Sequence, residues 1–479
     1  MAGHQFFPRR SARALTAGAT LAVSLLATAA PAVAGPCLCG SPADLAVAAG
    51  VGLDREWVVQ VPFDSAGWRL EHVVVGKSLV VAQAGDGTVA GIVTAAQPGA
   101  PRPGGVTWAT HAGRRAGPIA PAGIGPDLVT VVTGSSLLAF DASDGRLAWE
   151  RNLRTVASAG AVPSAGWVYA PLDGGGIARY PENPLADPTA AAMAAGAAAE
   201  NRATAEAGPD APEAFVGPRA GELLDPITID SGGEVDFPPL PYANGIAWVN
   251  NQGGVAAVLR LPGIAGRMDA DLGQQVSGPP VMFAGDIILA TRAGDLLRLA
   301  RLPGGWVARS GTMQVRVGED RDDLEEVAFN GWYTPFNEQP EGGPLVGRGT
   351  VVLSLGPAGI VAVSARTGDL LWRTQQPGRP LAIVGDRVWV HDASGFLTAR
   401  DLATGSRGER LCLGCFTLPV VNTVSERLVL ASPGGLVISL AARQTRAAEP
   451  PQPLPPPTTP ADEAGQPADR ATPAPPADI

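Results

Sequence analysis

Leu138-Ala139-Phe140-Asp141-Ala142-Ser143-Asp144-Gly145-Arg146-Leu147-Ala148-Trp149 has a second copy in the same chain, Ile360-Val361-Ala362-Val363-Ser364-Ala365-Arg366-Thr367-Gly368-Asp369-Leu370-Leu371-Trp372. Gly145 and Trp149 align with Gly368 and Trp372 without a gap. A degenerate third copy, Leu397-Thr398-Ala399-Arg400-Asp401-Leu402-Ala403-Thr404-Gly405, begins 37 residues after the second and lacks the Trp. A period of this length marks a repeat architecture, in which each unit is one supersecondary element that buries its apolar face only against its neighbours.

Each copy follows two alternating apolar runs separated by a Gly-containing turn, as in Arg387-Val388-Trp389-Val390-His391, Asp392-Ala393-Ser394-Gly395 and Phe396-Leu397-Thr398. Period-two alternation on both sides of a Gly turn is the hairpin signature. The same unit lies at residues 79–87, 128–134, 167–176, 246–254, 287–294, 351–359 and 428–435, which makes eight hairpins in all. The fold class read from this is all-β, a single β-propeller of eight four-stranded blades. Gly (61) and Pro (46) are abundant and charged residues only 17%, a composition that favours many tight turns over long surface helices. The last hairpin has no outermost strand of its own. Arg55-Glu56-Trp57-Val58-Val59-Gln60-Val61 resembles Leu147-Ala148-Trp149-Glu150-Arg151-Asn152-Leu153, so an N-terminal strand completes the final blade. Closure of that kind removes long exposed edges.

The pattern of Asp141, Gly145 and Trp149, repeated in the second copy through Thr367-Gly368 and Trp372 and partly in the third as Asp401 and Gly405, is similar to the PQQ-like repeat of quinoprotein alcohol dehydrogenases. It is closest in type to the non-catalytic barrel-assembly lipoprotein propeller. The resemblance covers roughly residues 54–442. It implies structural roles: the Gly turns the chain into the outer strand, and the Trp docks between neighbouring blades, Trp57 included. The quinoprotein enzymes carry an adjacent Cys-Cys pair against their cofactor, with a calcium-binding set of carboxylates and an amide. No adjacent cysteine pair exists in this chain.

Residues 1–34 follow the grammar of a secretory signal peptide: Arg9, Arg10 and Arg13, an apolar run from Leu15 to Ala30, then Ala32-Val33-Ala34 as a cleavage site. Arg9-Arg10 fits the twin-arginine route, and the Sec route is equally compatible. Cys37 follows Pro36, which argues against lipid attachment. Export places the mature chain in the periplasm or outside the cell, with no transmembrane span left after cleavage. The domain organisation expected is a Cys-containing segment at 35–54, the propeller at 55–442 and a disordered Pro-rich tail at 443–479. The propeller carries an Ala-rich insertion at 190–214 and an acidic and aromatic one at 318–343.

A formal charge of -10, from 45 acidic and 35 basic residues, offers no footprint for nucleic acid. The four cysteines, Cys37, Cys39, Cys412 and Cys415, suit two disulfides in an exported chain. The alternative is a structural zinc bound by the same four thiolates. Haem attachment would need His after Cys415, where Phe416 stands. His72, His111 and His391 sit in different repeats and read as isolated polar residues, and no nucleophile elbow, zincin helix or phosphate loop is present. No cofactor is expected and no catalytic residue is assigned. The acidic run Glu319, Asp320, Asp322, Asp323 reads as a solvated loop, with calcium as the alternative. The neighbouring Trp332, Tyr333 and Phe336 are candidate interaction aromatics, or a plug for the channel. These features favour a monomeric ring acting as a protein-interaction scaffold in the bacterial envelope. A PQQ-type oxidoreductase using the axial pocket is the alternative, resting on the resemblance alone.

Overall fold

The computed structural model describes residues 41–94, 103–113, 119–183, 226–242, 245–261, 264–302, 305–316 and 324–443. The signal segment, Cys37, Cys39, the Ala-rich stretch at 190–214, the acidic run at 319–323 and the tail beyond Arg443 lie outside them. The regular secondary structure of the described residues is almost entirely strand, and they form an eight-bladed β-propeller. Blades 1 to 7 span residues 70–111, 123–152, 162–230, 240–271, 281–335, 345–374 and 379–412, each with four antiparallel strands in chain order, to which blade 5 adds a short fifth, Gly305–Val307. The first strands of successive blades pack on one another around the axis.

Blade 8 is assembled from both ends of the ring. Arg427–Ala431 pairs with Leu436–Ala442, and Leu53–Gln60 adds to the latter in antiparallel register from Leu53 opposite Ala442 to Gln60 opposite Leu436. The innermost position is held by residues 418–422 through single bridges, Leu418 to Ala431 and Asn422 to Ala382. The N-terminal strand therefore closes the ring. Glu56 fastens it, its Oε2 accepting from Arg427 Nε at 2.6 Å and from Ser439 Oγ at 2.9 Å.

Burial explains the sequence pattern blade by blade. Central strands are covered by a neighbouring blade on each face, so Leu79–Ala84 and Thr350–Ser354 are buried at every position and read as continuous apolar runs. Outer strands face solvent. In Leu370–Thr374 only Trp372 is buried, because alternate side chains of a strand point to opposite faces.

The tryptophans of the outer strands seat each blade on the next. Trp372 of blade 6 donates its indole Nε1–H to the Leu402 carbonyl of blade 7 at 2.8 Å, with its ring laid over Gly405. Gly405 has φ of 70°, and a Cβ there would come within 2.5 Å of that ring, so both the turn and the seat require glycine. Trp108 reaches Ala142, Trp149 reaches Glu182 and Trp332 reaches Ala365 in the same manner, at 2.7 to 3.0 Å. Trp57 makes the corresponding contact from the closing strand onto Gly104 of blade 1, but its Nε1 has no hydrogen-bond partner.

Blade 7 has no outer tryptophan, and its seam with blade 8 is filled differently. A short helix, α1 (Leu45–Gly50), precedes the closing strand. It is capped by Asp44, whose Oδ1 accepts from Ala46 N–H at 2.8 Å. Ala48 and Val51 join Leu53, Trp389, Leu411, Leu413 and Phe416 in one buried cluster across the seam.

The insertion boundary in blade 5 differs from the sequence reading of 318–343. The excursion is a hairpin, Ser310–Arg316 with Leu324–Asn330, placed between the third and fourth strands. Trp332–Pro335 is the blade's own outer strand, paired with Asp295–Leu302. Trp332 is correspondingly buried, not displayed.

Candidate functional site

The repeat turns hold their polar residues for structural work. Asp141 Oδ1 accepts from Ser143 N at 2.8 Å, and Asp401 Oδ1 accepts from Thr404 N and Thr404 Oγ1, each at 2.8 Å. These side-chain and backbone bonds keep both carboxyl groups below the usual carboxylate range. Thr367 donates through Oγ1 to Asp369 Oδ2 at 2.6 Å. Each bond closes the turn that carries Gly145, Gly368 or Gly405 beneath its tryptophan.

The aromatic segment divides into three roles. Trp332 is the docking tryptophan of blade 5 and leaves no surface for a partner, which corrects its reading as an interaction aromatic. Phe336 is half-buried against the cluster between blades 5 and 6. Tyr333 points outward from the same strand at 53% exposure, its hydroxyl donating to Asp295 Oδ1 at 2.8 Å. That bond raises the phenol's pKa, so the ring stays neutral and oriented.

Cys412 ends the outer strand of blade 7, and Cys415 follows in the next turn, half-buried. Ala43, Val47 and Cys415 all pack against the seam cluster of Leu411, Leu413 and Phe416. Arg55 donates through Nη1 to the Ala43 carbonyl and ties the start of the described chain to this seam. The helix at 45–50 was not read from the sequence. The signal was present in Asp44, a cap residue immediately before an apolar run.

The histidines do not converge. His72 Nε2 contacts the Ile119 carbonyl at 2.9 Å, and His111 Nδ1 accepts from Gly113 N–H at 3.1 Å. His391 ends a strand of blade 7, and burial pushes its pKa down. Among the described residues no three His, Cys, Asp or Glu side chains are grouped to hold a metal.

On the face formed by the turns after the first strands, Arg348 links three blades. It forks onto Glu426 at 3.0 and 3.1 Å and reaches Asp386 at 3.0 Å, from a backbone φ of 48°. Exposed pairs of this kind add little stability, but a bidentate fork fixes orientation, here that of the turns of blades 6, 7 and 8.

The comparisons with known proteins agree with this geometry. Residues 322–412 match the family model described as outer membrane protein assembly factor BamB. The matched span runs from the blade 5 excursion through the last strand of blade 7. In solved structures the chain resembles BamB from Moraxella catarrhalis, with a TM-score of 0.53 and 16% identity over 81% of this chain and 97% of that one. The computationally designed Ika8 protein (TM-score 0.49, 12% identity, 78% and 95% covered) and the C-terminal WD40 domain of Sif2 (0.48, 8%, 82% and 99%) are also similar. No curated protein matches the chain in sequence. The BamB likeness shows the propeller fold and its PQQ-like repeat. No helix among the described residues is long and apolar enough to cross a membrane.

Proposed function

We propose that this chain is an exported, non-catalytic scaffold that binds other proteins of the bacterial cell envelope. The observation that carries the reading is the BamB likeness, found both in the repeats at 322–412 and in the fold of the whole ring. A closed ring with its edges paired suits such a role, since it presents loops and rim strands on a rigid frame. Tyr333, with half-buried Phe336 three residues on, is the contact proposed. An aromatic ring already held by Asp295 loses little freedom on binding. Cross-linking in the host envelope should recover a protein partner, and Tyr333→Ala should lower the yield at least tenfold, as for an anchor worth about 2 kcal/mol. An unchanged yield would move the contact elsewhere on the ring. An organic molecule co-purifying with the protein, with no protein cross-linked, would overturn the scaffold reading in favour of cofactor binding.

The four cysteines belong to the same proposal as two disulfides that staple the closure. Cys39 lies two residues before Ser41, a span of at most about 7 Å, and Ala43 already packs at the seam beside the Cys412 turn. Intact mass of the mature protein from its host should fall four hydrogens short of the reduced chain. Reduction should then cost about 2–5 kcal/mol of stability for each bridge. A retained zinc with full-length thiol mass would replace the staple by a metal site.

A further inference from the structure

We propose that the cleft between blades 6 and 7 binds a phosphate-type dianion, held by Arg400 and Arg407. The cleft encloses about 310 Å³ between Ile360 and Gln376 on one side and Asp392, Thr398, Arg400, Arg407 and Arg410 on the other. This proposal stands independently of the scaffold reading.

Arg400 occupies a position that the other repeats fill with an apolar side chain. It directly precedes the turn residue Asp401, as Phe140 precedes Asp141 and Val363 precedes Ser364, and all three turns close with the same pair of backbone bonds. Phe140 is 1% exposed and Val363 0%, each packed against the preceding blade. Arg400 is 5% exposed. One of its terminal nitrogens donates to the Gly405 carbonyl at 3.0 Å and the other to Gln376 Oε1, while Nε has no partner. No carboxylate among the described residues pairs with it. Burial, and then the charge of Arg407, depress its pKa. A buried cation left without a counter-charge is costly, and a natural chain retains one where something supplies the charge.

Bracing the turn does not account for the arginine, because Phe140 and Val363 support equivalent turns without one. The charge balance of the cleft points to a ligand instead. Arg407 lies opposite Arg400 on the adjacent strand and lines the same cleft. Arg410 is already engaged, donating to Asp392 Oδ2 at 3.0 Å and stacking 3.9 Å over Phe396. Asp392 is the single carboxylate lining the cleft and also accepts from the Ser394 and Phe396 amides. Three guanidinium groups against one carboxylate leave two positive charges facing a space large enough for a phosphate group and a short substituent. Guanidinium forks match oxyanion oxygens in geometry as well as charge.

Inorganic phosphate, glycerol phosphate and succinate would be titrated into the mature full-length protein at constant ionic strength, followed by calorimetry and thermal unfolding. Saturable phosphate binding that raises the unfolding temperature is expected. Arg400→Leu should weaken binding at least tenfold while itself unfolding higher than wild type in phosphate-free buffer, since it restores the apolar character of the repeat. Arg407→Ala, an exposed change that leaves the fold alone, should weaken binding severalfold. Tighter binding of glycerol phosphate than of inorganic phosphate would assign a phosphate ester, and equal binding the free ion. The proposal is overturned by succinate binding without phosphate, by no saturable binding, or by equal affinities in wild type and Arg407→Ala.

Discussion

A chain that begins at Val61 is expected not to fold as a monomer. Its loss removes the strand that pairs along Leu436–Ala442, together with the helix that fills the seam between blades 7 and 8. Burial of Val51 and Leu53 alone contributes about 1.5–3 kcal/mol for each side chain, and Trp57 adds a ring that seats blade 8 on blade 1. A whole domain is stable by only about 5–15 kcal/mol, so these losses take most of it. The exposed edge of Leu436–Ala442, buried over four consecutive residues, would then recruit strands from other chains. Size-exclusion chromatography and circular dichroism of the truncated and full mature chains test this. A monomeric truncated protein with the same strand signal and unfolding midpoint would show that closure is dispensable.

The closing strand was legible because its sequence copies the outer strand of another blade. Arg55 to Val61 repeats the spacing of Leu147 to Leu153, and a blade short of one strand leaves a single place for it. The hairpins were legible for a similar reason, since a Gly turn between alternating apolar runs admits few other structures. Trp332 was not. The excursion at 310–330 separates it from the hairpin it belongs to, so the repeat period breaks and the residue reads as part of a loop. Once the outer strand is placed, Trp332 lies over Gly368 as Trp372 lies over Gly405. Arg400 was hidden by the opposite circumstance. It sits inside a recognisable repeat, where its charge looks like an ordinary surface variation, and only the burial of Phe140 and Val363 at the same position makes it anomalous. The Arg348 fork had no sequence signal at all, because the arginine and its two partners, Asp386 and Glu426, come from three turns that meet only when the ring is closed.

Replacing Trp372 by alanine is expected to cost about 3–5 kcal/mol, the range for deleting a large buried aromatic and leaving its cavity. The more informative change is to phenylalanine. Trp372 donates to the Leu402 carbonyl inside the seam, so Trp372→Phe keeps most of the ring but leaves a buried acceptor without its donor, a loss of about 1–3 kcal/mol. Trp57 occupies the corresponding place at the ring closure and is equally buried, yet its indole nitrogen has no acceptor. Trp57→Phe removes an unsatisfied donor along with part of the ring, and the two effects oppose each other. Its denaturation midpoint should therefore stay much closer to wild type than that of Trp372→Phe. Urea unfolding of the two single variants and the double variant measures the difference directly. Similar costs at both positions would mean that ring volume alone decides how a blade is seated. A clear excess at Trp372 would assign that excess to one indole hydrogen bond, and would mark the closure as the seam where the blades are held by the shared strand more than by their tryptophan.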